Sequence, residues 1–200
     1  MHIEELRNDP ILAFSDVICL TETWLKSNIV EEELKISGLE LHLNSVGEGK
    51  GIGTYYKSDK ILPKTDIVKL KSQMTLLSSL ELDIVNIYRS RGMDTKEMAE
   101  DIKSIINSEK FTIVCGDFNL CYLENRSNEV TRMLEQDGFS QLVQEATHFK
   151  GGLIDHVYSN HNSAQFKVEV SLYSPYYLSK DHDAICVSII RSSEKQQQSE

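Results

Sequence analysis

Several apolar runs of this sequence end or begin in side chains that can bind a metal ion or a phosphate. The run FTIVCGDFNL breaks from a buried-strand pattern into Asp117 and Asn119. Residues two apart in a strand share a face, so these two side chains are expected to point together while Phe118 points away. Gly-Asp-Phe-Asn is also good turn chemistry, and taken alone it favours neither interpretation.

The same pattern recurs in four other runs. In ICLTETW the apolar run ends at Glu22, and IVNIYRS carries Asn86, Tyr88 and Arg89. LIDHVYS contains Asp155, and in LSKDHDAICVSI the residues Asp181 and His182 stand just before the apolar run. Each alone has a plain structural explanation, such as an exposed strand end, a half-buried aromatic ring or a solvated loop. Five strand ends that all supply acid, amide, phenol or imidazole groups are harder to explain in that way.

These side-chain types together suit phosphoester hydrolysis. Carboxylate and amide oxygens suit Mg²⁺ or Mn²⁺, and the His and Cys residues lack the spacing of zinc ligands. A His held by a carboxylate is fixed in tautomer, and Tyr, Asn and Arg donate hydrogen bonds to phosphate oxygens. A metal, an activated water and phosphate donors make a hydrolytic site. The sequence has no GxSxG, Walker or GxGxxG motif.

Hydrophobic periodicity predicts an α/β protein in which most strands follow one another directly. Predicted helices cover residues 2–8, ended by Asp9-Pro10, 94–107, capped by Asp94 or Thr95, and 125–136. Their expected apolar stripes are Met98, Ile102, Ile105 and Ile106 in the second helix and Val130, Met133 and Leu134 in the third. Predicted strands cover residues 16–21, 39–45, 51–57, 61–70, 75–83, 84–90, 112–117, 153–159, 166–173 and 183–190. The strands over 39–45 and 51–57 are expected to form a hairpin. This order favours two packed sheets flanked by helices over a doubly wound sheet. Residues 191–200 are polar and are expected to form a disordered tail after a domain over residues 1–190.

The composition limits the partners and the compartment. The formal net charge of −10 gives no long-range attraction for nucleic acid, so binding would need a local basic patch or a metal. None of the four cysteines shows CxxC spacing, and three lie in apolar runs, which favours free thiols in a reducing compartment. No run has signal-peptide or transmembrane character. We expect an intracellular protein, nuclear or cytoplasmic, with no membrane partner.

With these residues in order, the sequence resembles the endonuclease/exonuclease/phosphatase superfamily. It is most similar to the apurinic-like endonuclease domains of non-LTR retrotransposons and related mobile elements. The stretches that carry the resemblance are ICLTETWL, GIGTYYK, IVNIYRS, FTIVCGDFNL, GGLIDHVYSN and SKDHDAICVSI, over about residues 16–190. The order GDFN, then LID, then DH is a fairly specific signature, whereas any one piece is weak.

The resemblance implies a four-layer α/β sandwich with its site at one edge of the two sheets. It implies that Glu22 is the metal carboxylate, for Mg²⁺ or Mn²⁺, and that Asp181 assists the metal or the water. The other implied roles are a phosphate contact for Tyr88, water activation for Asp117, a phosphoryl contact for Asn119, and phosphate stabilisation by His182 held by Asp155. The implied partner is DNA or RNA, with a reverse transcriptase or helicase fused in a longer parent protein.

Two departures from the family pattern leave alternatives open. The family begins with a strand carrying an Asn upstream of the helix that HIEELRN resembles, and this sequence starts after that strand. A catalytically impaired remnant that only binds nucleic acid or a protein is therefore the alternative to a nicking endonuclease. The usual Ser-Asp-His also becomes Lys180-Asp181-His182, with Lys180 expected to be exposed. A phosphoinositide, sphingomyelin or poly(A) substrate would use the same motif residues.

Overall fold

The computed structural model describes residues 3–25, 29–44, 51–69, 71–107, 109–160, 166–175 and 181–191. Its α-helices are α1 (Ile3–Asn8), α2 (Thr95–Ile105) and α3 (Glu129–Gln136). Its strands are β1 (Val17–Leu20), β2 (Glu40–Asn44), β3 (Ile52–Tyr56), β4 (Leu62–Val68), β5 (Ser72–Ser78), β6 (Leu82–Arg89), β7 (Phe111–Asp117), β8 (Phe139–Gln141), β9 (Asp155–Asn160), β10 (Phe166–Tyr173) and β11 (Ala184–Arg191). Two 3-10 helical turns cover Leu12–Phe14 and Glu31–Leu34.

The largest sheet has six strands in the order β4-β5-β6-β7-β9-β8. Its strands pair antiparallel except β6 and β7, which are parallel and are connected through α2. Such a pair needs a crossover, and the helix supplies it. The side chain of Asp94 caps α2 by accepting hydrogen bonds from the backbone N–H groups of Lys96 and Glu97.

The helices α2 and α3 cover one face of the six-stranded sheet. Met98 and Ile102 of α2 and Leu134 of α3 are fully buried against that face. Their sheet partners include Val85, Ile87, Val114 and Tyr158. This apolar layer matches the stripe predicted from the sequence, although Ile105, Ile106 and Met133 are only partly buried at its margin.

The other face of the six-stranded sheet packs against β1-β3-β2 and the β10-β11 hairpin. Ile84, Ile113 and Val157 belong to this second apolar cluster, and Val17 and Val187 pack against them from the facing strands. The turn Glu31–Leu34 lies on the outer side of β1-β3-β2, where the Tyr55 hydroxyl of β3 donates to the carbonyl of Leu34 at 2.6 Å. Arg7 of α1 donates to the carbonyls of Glu33 and Lys35, 2.9 and 2.8 Å away.

The architecture is therefore two packed β layers, the six-stranded sheet on one side and β1-β3-β2 with β10-β11 on the other, with helical layers outside, as the sequence predicted. The 39–57 hairpin is confirmed by the antiparallel pairing of β2 with β3, and its loop, residues 45–50, lies outside the described residues. The same holds for residues 192–200 of the expected tail, whereas Arg191 ends β11. Among the described residues, no helix has the length and apolar character that a membrane crossing requires.

Two predicted boundaries were wrong. The strand predicted over 75–83 instead contains the turn between β5 and β6, where the side chain of Ser79 bonds the backbone of Leu82. Apolar residues on both sides of that turn concealed it, and Leu80 at its tip is 95% exposed. Helix α3 begins at Glu129 rather than 125, because the side chain of Asn128 accepts from the backbone N–H of Thr131 and caps it there.

Three short elements were not predicted: β8 and the two 3-10 turns. Each has only three or four residues, too few for a periodic pattern to appear. The first turn follows the predicted stop at Asp9-Pro10, where the Asp9 carboxylate accepts from the backbone N–H groups of Ile11 and Leu12 at 2.8 and 3.0 Å.

Candidate active site

Four polar residues lie in one row across the six-stranded sheet. Gln73 of β5 is opposite Tyr88 of β6, Tyr88 is opposite Asp117 of β7, and Asp117 is opposite Asp155 of β9. Directly opposite side chains share a face of a sheet. This row faces the smaller sheets, at the end of the six-stranded sheet where β6 and β7 finish. Pairing thus aligns residues that are far apart in the sequence.

Gly116 has no room for a side chain. Its φ is +136°, and a Cβ atom built there would lie 1.9 Å from the backbone oxygen of Ile87 on β6. Such an approach requires glycine, because every other residue would clash with the main chain of the neighbouring strand. The glycine of GDFN therefore allows β7 to deliver Asp117 beside Tyr88.

Asp117 and Asn119 do lie together, as predicted, but a turn rather than strand alternation brings them there. Asp117 ends β7, and its Oδ1 accepts the backbone N–H of Asn119 at 2.8 Å. Asn119 has a left-handed φ of +48°, and its Nδ2 donates to Asp117 Oδ2 at 3.0 Å and to the carbonyl of Arg89 at 2.8 Å. Phe118 is fully buried and stacks on His156. The turn holds both polar side chains at the sheet end.

Glu22 reaches the row from the three-stranded sheet β1-β3-β2. It follows β1 in a left-handed conformation, with φ of +48°, and its side chain is exposed. Non-glycine residues adopt this conformation rarely, and such strain is found most often at functional sites. The Tyr88 hydroxyl donates to Glu22 Oε1 at 2.8 Å. Burial and the nearby Glu22 raise the pKa of Tyr88, which therefore remains a hydrogen-bond donor at neutral pH.

Asp155 joins the row to His182. The structure places Asp155 at the first position of β9 rather than inside the strand. Its Oδ2 is 2.9 Å from His182 Nδ1 and accepts the hydroxyl of Thr147 at 2.7 Å. Residues 147–149 pair with 181–183 through Phe149 N–H to the carbonyl of Asp181 and Asp183 N–H to that of Thr147. His182 Nδ1 is held by Asp155, and Nε2 remains as the ring nitrogen that can contact a ligand.

The surroundings of the site raise the pKa values of Asp117 and His182. Burial, and then the charge of Asp155, raise the pKa of Asp117 to about 7. The hydrogen bond to Asp155, together with the charges of Asp117 and Glu22, raises the pKa of His182. The site therefore combines a carboxyl group that exchanges a proton near neutral pH with an imidazole that favours its cationic form.

Asp181 is exposed and is linked to the site through its backbone carbonyl. Its predicted role beside the metal stays a prediction, and Lys180 lies outside the described residues. Within the described ranges, no group of three or more His, Cys, Asp or Glu side chains is arranged to hold a metal ion. Mg²⁺ is commonly bound through one or two carboxylates, with water and substrate phosphate completing its shell. Glu22, an exposed oxygen donor next to the row, is compatible with such a site.

The sequence interpretation missed two residues and misplaced a third. Thr147 and Gln73 are both fully buried beside site residues, and the Oε1 atom of Gln73 has no hydrogen-bond partner among the described residues. Neither belongs to a run that ends in polar residues, so only strand pairing and tertiary contact reveal them. Arg89, considered a phosphate donor, is buried and donates to the carbonyls of Phe118 and Asn119, each at 3.3 Å. Alternation along β6 turns it away from Tyr88.

Solved structures with the same fold include several nucleases. An AP endonuclease from Archaeoglobus fulgidus has a TM-score of 0.68 and 13% identity, covering 96% of each chain. The endonuclease domain of TRAS1, a telomere-specific non-LTR retrotransposon, has a TM-score of 0.70 and 13% identity, covering 94% of this chain and 90% of that domain. A variant of the 3′ phosphatase NExo from Neisseria, bound to a product DNA hairpin, has a TM-score of 0.66 and 15% identity, covering 94% of each chain. At these identities the likeness shows the fold alone.

Sequence comparison gives the family. No curated protein matches the chain. The sequence model of the Endonuclease/Exonuclease/phosphatase family matches residues 3–188, which is nearly the whole chain. That match includes the row of polar residues, Gly116, and His182 with its partner Asp155. The chain therefore belongs to the Endonuclease/Exonuclease/phosphatase family.

Proposed function

We propose that this chain is a divalent-metal-dependent phosphodiesterase that nicks DNA by attack of water on a phosphate. The observation that carries the proposal is the alignment of Tyr88, Asp117 and Asp155 by strand register, with Glu22 and His182 hydrogen-bonded to its two ends. Three carboxylates, one phenol and one imidazole converge on one sheet end, and the substrate phosphate would bind there.

Asp117 is the proposed acceptor of the proton of the attacking water. Its pKa of about 7 suits this role, because a general base works best when its pKa is near the operating pH. As the water oxygen bonds to phosphorus, the bond from phosphorus to the 3′ oxygen breaks. The water proton passes to Asp117, and the leaving oxygen takes up a proton to become a 3′-hydroxyl group, with the phosphate left on the 5′ side.

His182 and Tyr88 are the proposed contacts to the phosphate oxygens. Asp155 holds Nδ1 of His182 and favours the cationic ring, so Nε2–H can donate to the developing negative charge. Asn119 would contribute a further donor, which requires it to release either Asp117 or the Arg89 carbonyl. Glu22, assisted by Asp181, would hold the Mg²⁺ or Mn²⁺ ion, whose chemistry here is neutralisation of the phosphate charge.

A mobile-element role is supported by the resemblance of the TETWL and YRSR stretches and by the shared fold with the TRAS1 endonuclease domain. We propose DNA as the substrate, within a longer parent protein that carries a reverse transcriptase or helicase. The cellular location of such a protein would be the nucleus or cytoplasm.

A plasmid-nicking assay tests the proposal. With Mg²⁺, the chain should convert supercoiled plasmid to the open-circular form, and chelation should stop the reaction. Asp117→Ala and His182→Ala should each remove the activity, while Lys103→Ala, an exposed change on α2, should leave it intact. Nicking that survives both site substitutions would refute the assignment. DNA binding without nicking would identify the impaired remnant, and hydrolysis of a phosphoinositide, sphingomyelin or poly(A) instead would change the substrate.

A further inference from the structure

A chain of rings leads outward from His182 to the protein surface. The ring centroid of His148 lies 5.0 Å from that of His182, in an edge-on arrangement. Phe149 follows, with its ring centroid 4.9 Å from His148, and the Lys150 ammonium lies 5.2 Å from the Phe149 centroid. Each step stays within the range in which aromatic groups interact. This series of side chains starts at the His182 imidazole and ends at the solvent-exposed Phe149 and Lys150.

The outer ring, that of Phe149, is largely exposed to solvent. Phe149 is 63% exposed, although a benzyl side chain gains free energy when it leaves water. Single exposed apolar residues are common on proteins and need no explanation by themselves. Phe149 differs because it lies two residues from Thr147, which holds Asp155, and because its backbone is paired with that of Asp181.

The loop that carries Phe149 is fixed on both sides. Thr147 and His148 both donate to the carbonyl of Gly152, at 3.0 and 2.9 Å, and Gly151 donates back to His148 at 2.8 Å. Gly151 adopts a φ of +83°, which closes the turn. Such a turn holds an aromatic ring at a constant position relative to His182, as a binding platform requires.

We propose that His148 and Phe149 form a stacking subsite for one unpaired nucleobase beside the scissile phosphate, with Lys150 contacting the neighbouring phosphate. The proposal rests on the proposed function, because it assumes a nucleic-acid substrate. Aromatic rings bind the faces of bases in single-stranded nucleic acid with little sequence preference. Within a duplex both faces of a base are covered by its neighbours, so the occupant is a single-stranded or extruded nucleotide.

The charge of the molecule supports stacking as the source of affinity. The chain carries a formal charge of −10, so long-range attraction does not favour a polyanion. Lys150 supplies a local cation at the outer end of the ring chain, while the exposed ring supplies uncharged contact area. A substrate held in this way would be recognised by its bases as well as by its phosphates.

The test compares two strands of equal charge by calorimetry, with the wild-type chain in a metal chelator so that hydrolysis does not occur. One strand is an eight-nucleotide oligothymidylate, and the other is an eight-unit abasic sugar-phosphate chain. The thymidylate should bind about 5- to 150-fold more tightly, the range for one base stacked on an aromatic ring. Phe149→Leu should remove this difference, and Phe149→Trp should preserve it.

Two matched substitutions serve as controls. Phe14, 86% exposed, precedes β1 at the end remote from Glu22, whereas Trp24, 58% exposed, follows Glu22. Phe14→Leu and Trp24→Leu should each leave the preference for thymidylate unchanged. Loss of that preference in Trp24→Leu, its persistence in Phe149→Leu, or equal binding of both strands by the wild type would overturn the subsite. Because no step requires hydrolysis, plasmid nicking can succeed or fail separately.

Discussion

The two ends of strands β6 and β7 both carry buried carboxylates, but only one end is balanced in charge. At the end remote from the site, Asp83 Oδ1 accepts Lys110 Nζ at 2.5 Å and the hydroxyl of Ser78 at 2.6 Å. At the site end, Asp117 is buried with Asp155 and Glu22 as negative neighbours. His182, which is held by Asp155, is the titratable cation of that group, and the buried guanidinium of Arg89 also interacts with Asp117.

This difference separates charges that stabilise the fold from charges to which the proposed function assigns chemistry. A buried carboxylate with its own ammonium partner and hydroxyl donor has little to gain from a ligand. A group of carboxylates with too little positive charge favours uptake of a proton, a cation or both, which perturbs pKa values in the direction that hydrolysis requires. Four substitutions can break or sharpen the comparison.

The largest effect is expected from Asp117→Asn. Nicking should fall by about 10²- to 10⁴-fold, because the proposed proton acceptor is lost while the shape of the site is kept. The free energy of unfolding should stay the same or rise in the metal-free protein, since the substitution removes repulsion from Asp155. Nicking rates and urea denaturation measure the two quantities. A large loss of stability would show that Asp117, like Asp83 at the other end of β6 and β7, stabilises the fold.

The converse is expected for Lys110→Met. Asp83 would remain buried without its cation, which should lower the free energy of unfolding by about 3–5 kcal/mol. Nicking per folded molecule should not change, because the pair lies at the other end of β6. Lys103→Met is the matched control, since Lys103 is 65% exposed and lies 3.9 Å from Asp137. Urea denaturation should show almost no effect of this control, and equal losses in both variants would contradict the comparison.

His156 is next to Asp155 in the sequence, and the pH dependence of stability shows whether its imidazole stabilises the fold. Burial lowers its pKa to about 4, and its Nε2 contacts the carbonyl of Leu120 at 2.8 Å. The unfolded chain binds the proton near pH 6.5, so stability should be lost as the pH falls from about 7 to 4, by about 3 kcal/mol.

Urea denaturation of the wild type and of His156→Gln at several pH values isolates this contribution. The variant should show a shallower loss of stability with acid, because glutamine does not titrate. Identical slopes for the two proteins would show that His156 is protonated in the folded state or does not contribute. The comparison places His156 with the stabilising groups, on the helix-facing side of β9.

The smallest effect is expected from Thr147→Val, which keeps the shape of the side chain but removes the hydroxyl that bonds Asp155. Loss of a hydrogen bond to a charged group costs about 1.5–3 kcal/mol, which corresponds to roughly 10- to 150-fold in nicking rate if Asp155 then moves. Thr147→Ser retains the hydroxyl and should restore most of the rate. Equal nicking by the valine and serine variants would exclude a role in positioning.

Much of the fold followed from local patterns. The cap of α2 at Asp94 or Thr95, the stop at Asp9-Pro10 and the β2-β3 hairpin depend on residues close together in the sequence, and each was predicted. The structure shows that Asp94 is the cap. The break inside 75–83 and the start of α3 were missed, because a short turn and a cap give weak signals beside apolar neighbours. The type of each element was therefore predicted more accurately than its boundaries.

The sequence by itself determined which residues end the central strands and which chemistry their types permit. Only the tertiary structure showed that β7 passes so close to β6 that position 116 must be a glycine. Only the tertiary structure decided that Gln73, Tyr88, Asp117 and Asp155 share one row, and that Arg89 faces away from it. The physical reason is that strand register depends on the packing of both faces of the whole sheet, whereas side-chain alternation is a property of each strand alone.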